Sequence, residues 1–118
     1  MPSGTILLVE DGPPLREMIR EMLEAAGYTV LAAKSAPEAV RMVQQHDGPI
    51  DLLLTDVMMP GMSGPELVET LRALRPGLNV LLMSGAVDHG PAVADAAFIQ
   101  KPFTESMLLE KVAAARGR

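Results

Sequence analysis

The chain has 118 residues, a formal net charge of -5, no cysteine, and a composition that is 48% hydrophobic but only 3% aromatic. That length suits one domain with a self-sufficient core, built here from Leu, Val, Ile, Ala and nine Met, while the missing thiols exclude disulfides, thiolate metal sites and a cysteine nucleophile. The acidic balance argues against a phosphate-backbone partner, since only "KVAAARGR" is locally basic, and the N-terminal apolar run ends at Glu10 and Asp11, so neither a secretory signal nor an unbroken apolar span of about 18 residues is expected.

From the N-terminus, Thr5 to Val9 reads as a strand. Leu15, Met18, Ile19, Met22, Leu23 and Ala26 then recur at three and four residues, the face of a helix that Gly27 stops. Thr29 to Ala33 is a second strand. "SAPE" has the form of a capping box from Ser35 to Glu38 and opens a helix with Ala36, Ala39, Val40 and Val43 inward, ending near Gln45. Leu52 to Thr55 is a third strand, apolar on both faces. "SGPE" repeats the capping form, and Leu67, Val68, Leu71 and Leu74 form the buried stripe of a helix that runs toward Arg75. Val80 to Met83 and Phe98 to Gln100 are the last strands. Between them "GAVDHGPAVADAA" carries Gly90 and Pro91 and leaves room for a short helix over Pro91 to Ala97. The final helix starts from Thr104 and buries Leu108, Leu109, Val112 and Ala113.

Short strands apolar on both faces, joined by helices, predict an α/β parallel sheet with helices on either side. Ligands of such sheets gather outside the carboxyl ends of the strands. The residues that follow the runs are Glu10 and Asp11, then Asp56, then Ser84, then Lys101. Asp56 alone is an ordinary turn former. Three converging carboxylates, however, repel by roughly 4 kcal/mol per pair at ~4 Å and an effective dielectric near 20, so a cation must join them. Hard oxygen ligands in a small open site suit Mg2+, with Lys101 adding positive charge.

"ILLVED", "LLLTDVMMPGMSG", "LLMSG" and "FIQKPF" resemble, in that order and across essentially the whole chain, the receiver domains of bacterial two-component response regulators; the "MSG…FIQKPFT" segment is similar to receivers of hybrid sensor histidine kinases. The resemblance implies a flavodoxin-like, doubly wound, five-stranded sheet in the order 2-1-3-4-5, three layers deep. It implies that Asp56 accepts a phosphoryl group from a phosphohistidine on a kinase or phosphotransfer partner, with Asp11, Asp56 and the backbone carbonyl of Met58 as Mg2+ ligands and Glu10 acting through water. Lys101, after a cis peptide to Pro102, would pair with the phosphoryl oxygens. Ser84 would hydrogen-bond one of them, and Phe98, either plain core or a switch residue, would follow Ser84 and alter the surface of the fourth helix, fifth strand and fifth helix. Self-phosphorylation and slow autodephosphorylation are the only activities implied, in the cytoplasm, without direct nucleic-acid or membrane contact. The resemblance also admits a homodimer. No output domain is expected within these residues.

Gly12 stands where that family often has a third acid, and Ser63 where it has an Asp; both metal positions are kept. The spacing from Ser84 to Lys101 is shorter than usual in the family by about five residues, more than a helical turn, which implies a truncated fourth helix. Met58 and Ala86 offer no acid, base or amide to a hydrolytic water, so loss of phosphate should be slow. His46 and His89 lack a second ligand at metal spacing. A phosphatase of the haloacid dehalogenase type would need an Asp where Met58 stands, and a flavin binder would need a phosphate loop where "EDGPP" is acidic. A receiver-like scaffold that never takes phosphate is the remaining alternative.

Overall fold

The computed structural model describes residues 3–85 and 95–117. In chain order these form β1 (Thr5–Val9), α1 (Pro13–Ala25), β2 (Thr29–Ala33), α2 (Ala36–Gln45), β3 (Leu52–Asp56), α3 (Gly64–Leu74), β4 (Val80–Ser84), β5 (Ala96–Gln100) and α4 (Glu105–Ala115). All neighbouring strands pair in parallel, in the order β2-β1-β3-β4-β5, the order that the resemblance implied.

Pleated strands send alternate residues to opposite faces. Leu7, Val9, Leu53, Val80 and Leu82 pack with Ala39 and Val43 of α2 and Leu67, Val68 and Leu71 of α3. Ile6, Leu8, Leu52, Leu54, Leu81, Met83 and Ile99 pack with Ile19 and Leu23 of α1 and Leu108 and Val112 of α4. Two aliphatic layers thus sandwich the sheet, and burying that surface is the main force holding it.

The capping signals are realised with one difference. Ser63 and Glu66 form the full reciprocal pair, with Glu66 N–H donating to Ser63 Oγ at 3.2 Å and Ser63 N–H to Glu66 Oε1 at 2.8 Å. Ser35 caps the amide of Glu38 at 3.2 Å, but Glu38 reaches the amide of Lys34, not of Ser35, at 2.8 Å. Thr104 caps α4 through the amide of Met107 at 3.1 Å. Gly27, with φ of 108°, ends α1 in a conformation that a side chain would strain.

Three residues assigned to buried faces are exposed: Met18 (46%), Leu74 (43%) and Ala113. Met18 and Ala113 each adjoin a fully buried neighbour, Ile19 and Val112, and one residue turns a helix by about 100°, past the edge of the stripe that a flat sheet can cover. Leu74 lies in the last turn of α3, beyond the buried Leu71. Of the short helix expected over Pro91 to Ala97, residues 91–94 lie outside the described residues. Ala96 and Ala97 pair with Val80 and Leu81 and begin β5, so that part of the expectation is corrected. Alanine favours helices, and here pairing with a buried strand overrides that preference.

The base of the sheet, opposite the strand tips, is stitched by polar side chains. The Thr5 N–H donates to Asp51 Oδ2 at 2.7 Å, and Asn79 Nδ2 donates to the carbonyls of Asp51 (3.3 Å) and Arg116 (2.8 Å). Arg116 in turn donates to the carbonyl of Ser3 and lies over the Tyr28 ring, 5.8 Å from its centroid. Arg75 satisfies the end of α2, donating to the carbonyls of His46 at 2.5 Å and Gly48 at 2.8 Å.

Candidate functional site

Two steps along the strands from Leu8, Leu54 and Ile99 stand Glu10, Asp56 and Lys101, so the pleat that buries those aliphatic residues under α1 and α4 also carries the three ionisable groups to one face. They meet there. Lys101 Nζ forms an ion pair with Asp56 Oδ1 and lies 3.6 Å from Glu10 Oε1. The Asp56 and Glu10 side chains are 7% and 5% exposed, that of Lys101 29%. Asp11 is exposed, yet Glu10, Asp11 and Asp56 each present a carboxylate oxygen within 4.8 Å of the other two, the one such trio of potential metal ligands found among the described residues.

Glu10 is the strained member of the set. Its Oε2 accepts the Gly12 N–H at 2.9 Å, whereas Oε1 is buried without a hydrogen-bond partner. Burial, and then the adjacent Asp56 carboxylate with which a protonated Glu10 would share its proton, push the Glu10 carboxyl above its ordinary 4.5; the Gly12 amide and Lys101 offset this only in part. Burial alone would lower the Lys101 ammonium, but its bond to Asp56 and the charges of Asp56 and Glu10 hold it above its usual range. An orphaned buried oxygen among three hard donors fits a small divalent cation, which would satisfy Oε1 and separate the carboxylates.

A group with a raised pKa in the folded state contributes stability that is complete below its unfolded value and lost as pH rises through the folded value. Metal-free protein should therefore lose stability as pH climbs above 4.5 through the titration of Glu10. Glu10→Gln should flatten that dependence and stabilise the metal-free protein at neutral pH by on the order of 1 kcal/mol, read from urea unfolding at several pH values.

The backbone around Asp56 is held closely. Val57 N–H donates to the Met83 carbonyl at 2.9 Å and Gly64 N–H to the Val57 carbonyl at 2.8 Å. The start of α3 lies so near that a Cβ on Gly64 would fall 2.2 Å from the Asp56 carbonyl oxygen. Arg16 Nη1 donates to the Glu10 carbonyl at 3.0 Å, fixing the turn into α1. Arg16 and Gly64 escaped the sequence reading. The only available signals were an arginine one turn into the first helix and a glycine between a cap and a proline.

The other expected site residues are placed differently. Ser84 ends β4 half-buried, its carbonyl accepting the Lys101 N–H at 2.8 Å, and strand alternation sets it on the face of Leu82, away from the carboxylates. Phe98, in register with Leu82, is 42% exposed, so plain core is excluded as its role. The Met58 side chain is 73% exposed, which leaves its backbone carbonyl as the only expected contribution. The Lys101–Pro102 peptide is cis, as the resemblance implied. His46 ends α2, and His89 and Ala86 lie outside the described residues.

Residues 6–113 match the family model of the response regulator receiver domain. The chain belongs to that family. Receiver domains are the phosphoacceptor modules of two-component systems, and they hold Mg2+ in an acidic pocket; in this receiver domain the acidic cluster is Glu10, Asp11 and Asp56. Similar proteins include the sensor kinase CckA of Brucella abortus, 36% identical over 93% of this chain and 12% of that kinase. The response regulator receiver protein CpdR of the same organism is 37% identical over 83% of this chain and 84% of its own. A solved receiver domain from the hybrid histidine kinase CckA, 32% identical, superposes with a TM-score of 0.84 over 97% of this chain and 100% of that one. CpdR aside, the receiver spans between 12% and 54% of the length of seven curated relatives that it matches. No helix among the described residues is long and apolar enough to cross a membrane.

Proposed function

We propose that Asp56 is the phosphoacceptor of this receiver domain and that Glu10, Asp11, Asp56 and the Met58 carbonyl hold its Mg2+. The observation that carries this reading is the ion pair of a buried Asp56 with Lys101 at a strand tip, with two further carboxylates within 4.8 Å. A carboxylate oxygen of Asp56 attacks the phosphorus of a phosphohistidine; the O–P bond forms, the N–P bond breaks, and the electron pair leaves with the imidazole. The ammonium of Lys101, already beside Asp56, neutralises charge on the transferred oxygens, and Ser84, set away from the carboxylates at rest, moves so that its hydroxyl donates to one of them. Bound Mg2+ supplies the remaining positive charge. Movement of Ser84 then turns Phe98, the step by which phosphorylation reaches the surface around β5.

The donor is a histidine kinase or a histidine phosphotransfer domain, encountered in the cytoplasm. Met58 gives a hydrolytic water no polar side chain, so the phosphoryl group should be lost slowly. Incubation with a small phosphodonor and Mg2+, followed by intact mass measurement, tests the whole reading. One phosphate of added mass is expected on the wild type, decaying over minutes or longer, and none on Asp56→Asn. An unmodified wild type would favour the scaffold that never takes phosphate.

A further inference from the structure

We propose that Thr55 is a positioning residue for phosphorylation, holding the loop that leaves Asp56 through the thioether of Met59; this rests on Asp56 being the phosphoacceptor. Thr55 is the one hydroxyl in β3, follows three leucines, and is wholly buried. Its neighbours in register are Val9 and Leu82, both also wholly buried. A hydroxyl taken out of water costs free energy unless it is well bonded. Here it is not. Its Oγ1 lies 3.3 Å from the Asp56 carbonyl and 3.7 Å from Met59 Sδ, against about 2.8 Å for an ordinary hydroxyl hydrogen bond, and a thioether is a weak acceptor. Valine has the same shape, prefers strands and needs no partner. Stability therefore does not explain a threonine at this position.

What the hydroxyl reaches does explain it. Thr55 and Asp56 point to opposite faces of the sheet, so Thr55 cannot touch a phosphoryl group. Both of its acceptors belong to the segment that turns over the strand tip, and Met58 lies between them. Backbone bonds fix that loop at its ends, through Val57 to Met83 and through Gly64 to Val57. The Thr55 hydroxyl meets it at Met59, whose side chain packs against the core layer that includes Val57 and Leu67. A loop held at Met59 keeps the neighbouring Met58 carbonyl in one orientation.

Thr55→Val separates this role from a structural one, because stability and ion binding should move in opposite directions. The valine protein is expected to melt at the wild-type temperature or above. Its affinity for Mg2+ alone, followed through backbone amide shifts, should fall by about tenfold, the usual scale for losing a group that supports a metal ligand. Its rate with a small phosphodonor at subsaturating Mg2+ should fall with it, and Thr55→Ser should restore both. Wild-type Mg2+ affinity in Thr55→Val would overturn the proposal. So would a lowered melting temperature accompanied by unchanged Mg2+ affinity, since the hydroxyl would then be merely structural. If the wild type takes no phosphate, the assignment of Asp56 fails, but the Mg2+ titration still decides the role of Thr55.

Discussion

Lys101→Met should slow phosphorylation by a small phosphodonor at least about 10²-fold while leaving a folded protein. In the resting state the ammonium is the cation paired with Asp56 and lies 3.6 Å from the Glu10 carboxylate, both carboxylates being almost fully buried. Without it the two acids face each other, and charge that develops on the transferred oxygens loses a donor that needed no rearrangement. Removing one partner of a buried pair costs more than the pair itself is worth, because the other charge stays desolvated. Lys101 is itself 29% exposed, so solvent screening trims the cost, and metal-free Lys101→Met should lose on the order of 1–3 kcal/mol. Acidification should return part of that loss, since a proton on Glu10, whose carboxyl is already pushed above its ordinary value, ends the repulsion, and Mg2+ should return it as well. Urea titrations with and without Mg2+ would measure both effects. A variant with wild-type rate would remove Lys101 from the chemistry.

Gly64→Ala should be the most destabilising single-methyl change near the site, by about 3 kcal/mol or more. The new Cβ would meet the Asp56 carbonyl oxygen at 2.2 Å and the Val57 Cα at 3.0 Å, both backbone atoms that cannot swing away. Either α3 retreats and leaves a void over Leu67 and Val68, or the Asp56 peptide tilts and carries its carboxylate away from Lys101. Equilibrium denaturation reads the first outcome, and the rate of phosphate uptake reads the second. Gly61, where an added Cβ would meet nothing within 4 Å, is the control for a change in the same loop, though its φ of 82° adds backbone strain of its own.

β1 and β2 could be read to the residue because each is a short apolar run with a glycine or charged residue close by on both sides. β5 could not. Its first two residues are alanines, whose local preference is helical, and only pairing with Val80 and Leu81 makes them strand. Met18 and Ala113 are exposed for a related reason, since periodicity gives the direction of an apolar stripe but not the width that a sheet will cover. Within the site, the carboxylates and Lys101 were legible because each sits where a strand stops, and topology brings all such points to one rim. Thr55, Arg16 and Gly64 were not. Their contributions are a buried hydroxyl, a bond to a main-chain carbonyl and a close approach of two backbones, and none of these leaves a mark in residue spacing.

The stitching at the base of the sheet gives the molecule an uneven stiffness. Asp51 and Asn79 tie the roots of β1, β3 and β4, and Arg116 anchors the C-terminal helix to the same pole. A strand clamped at its foot behaves as a cantilever: a disturbance at Asp56 has little freedom to slide the strand lengthwise. It must spread sideways, through the peptide planes joining β3 to β4 and β4 to β5, toward the edge that carries Phe98.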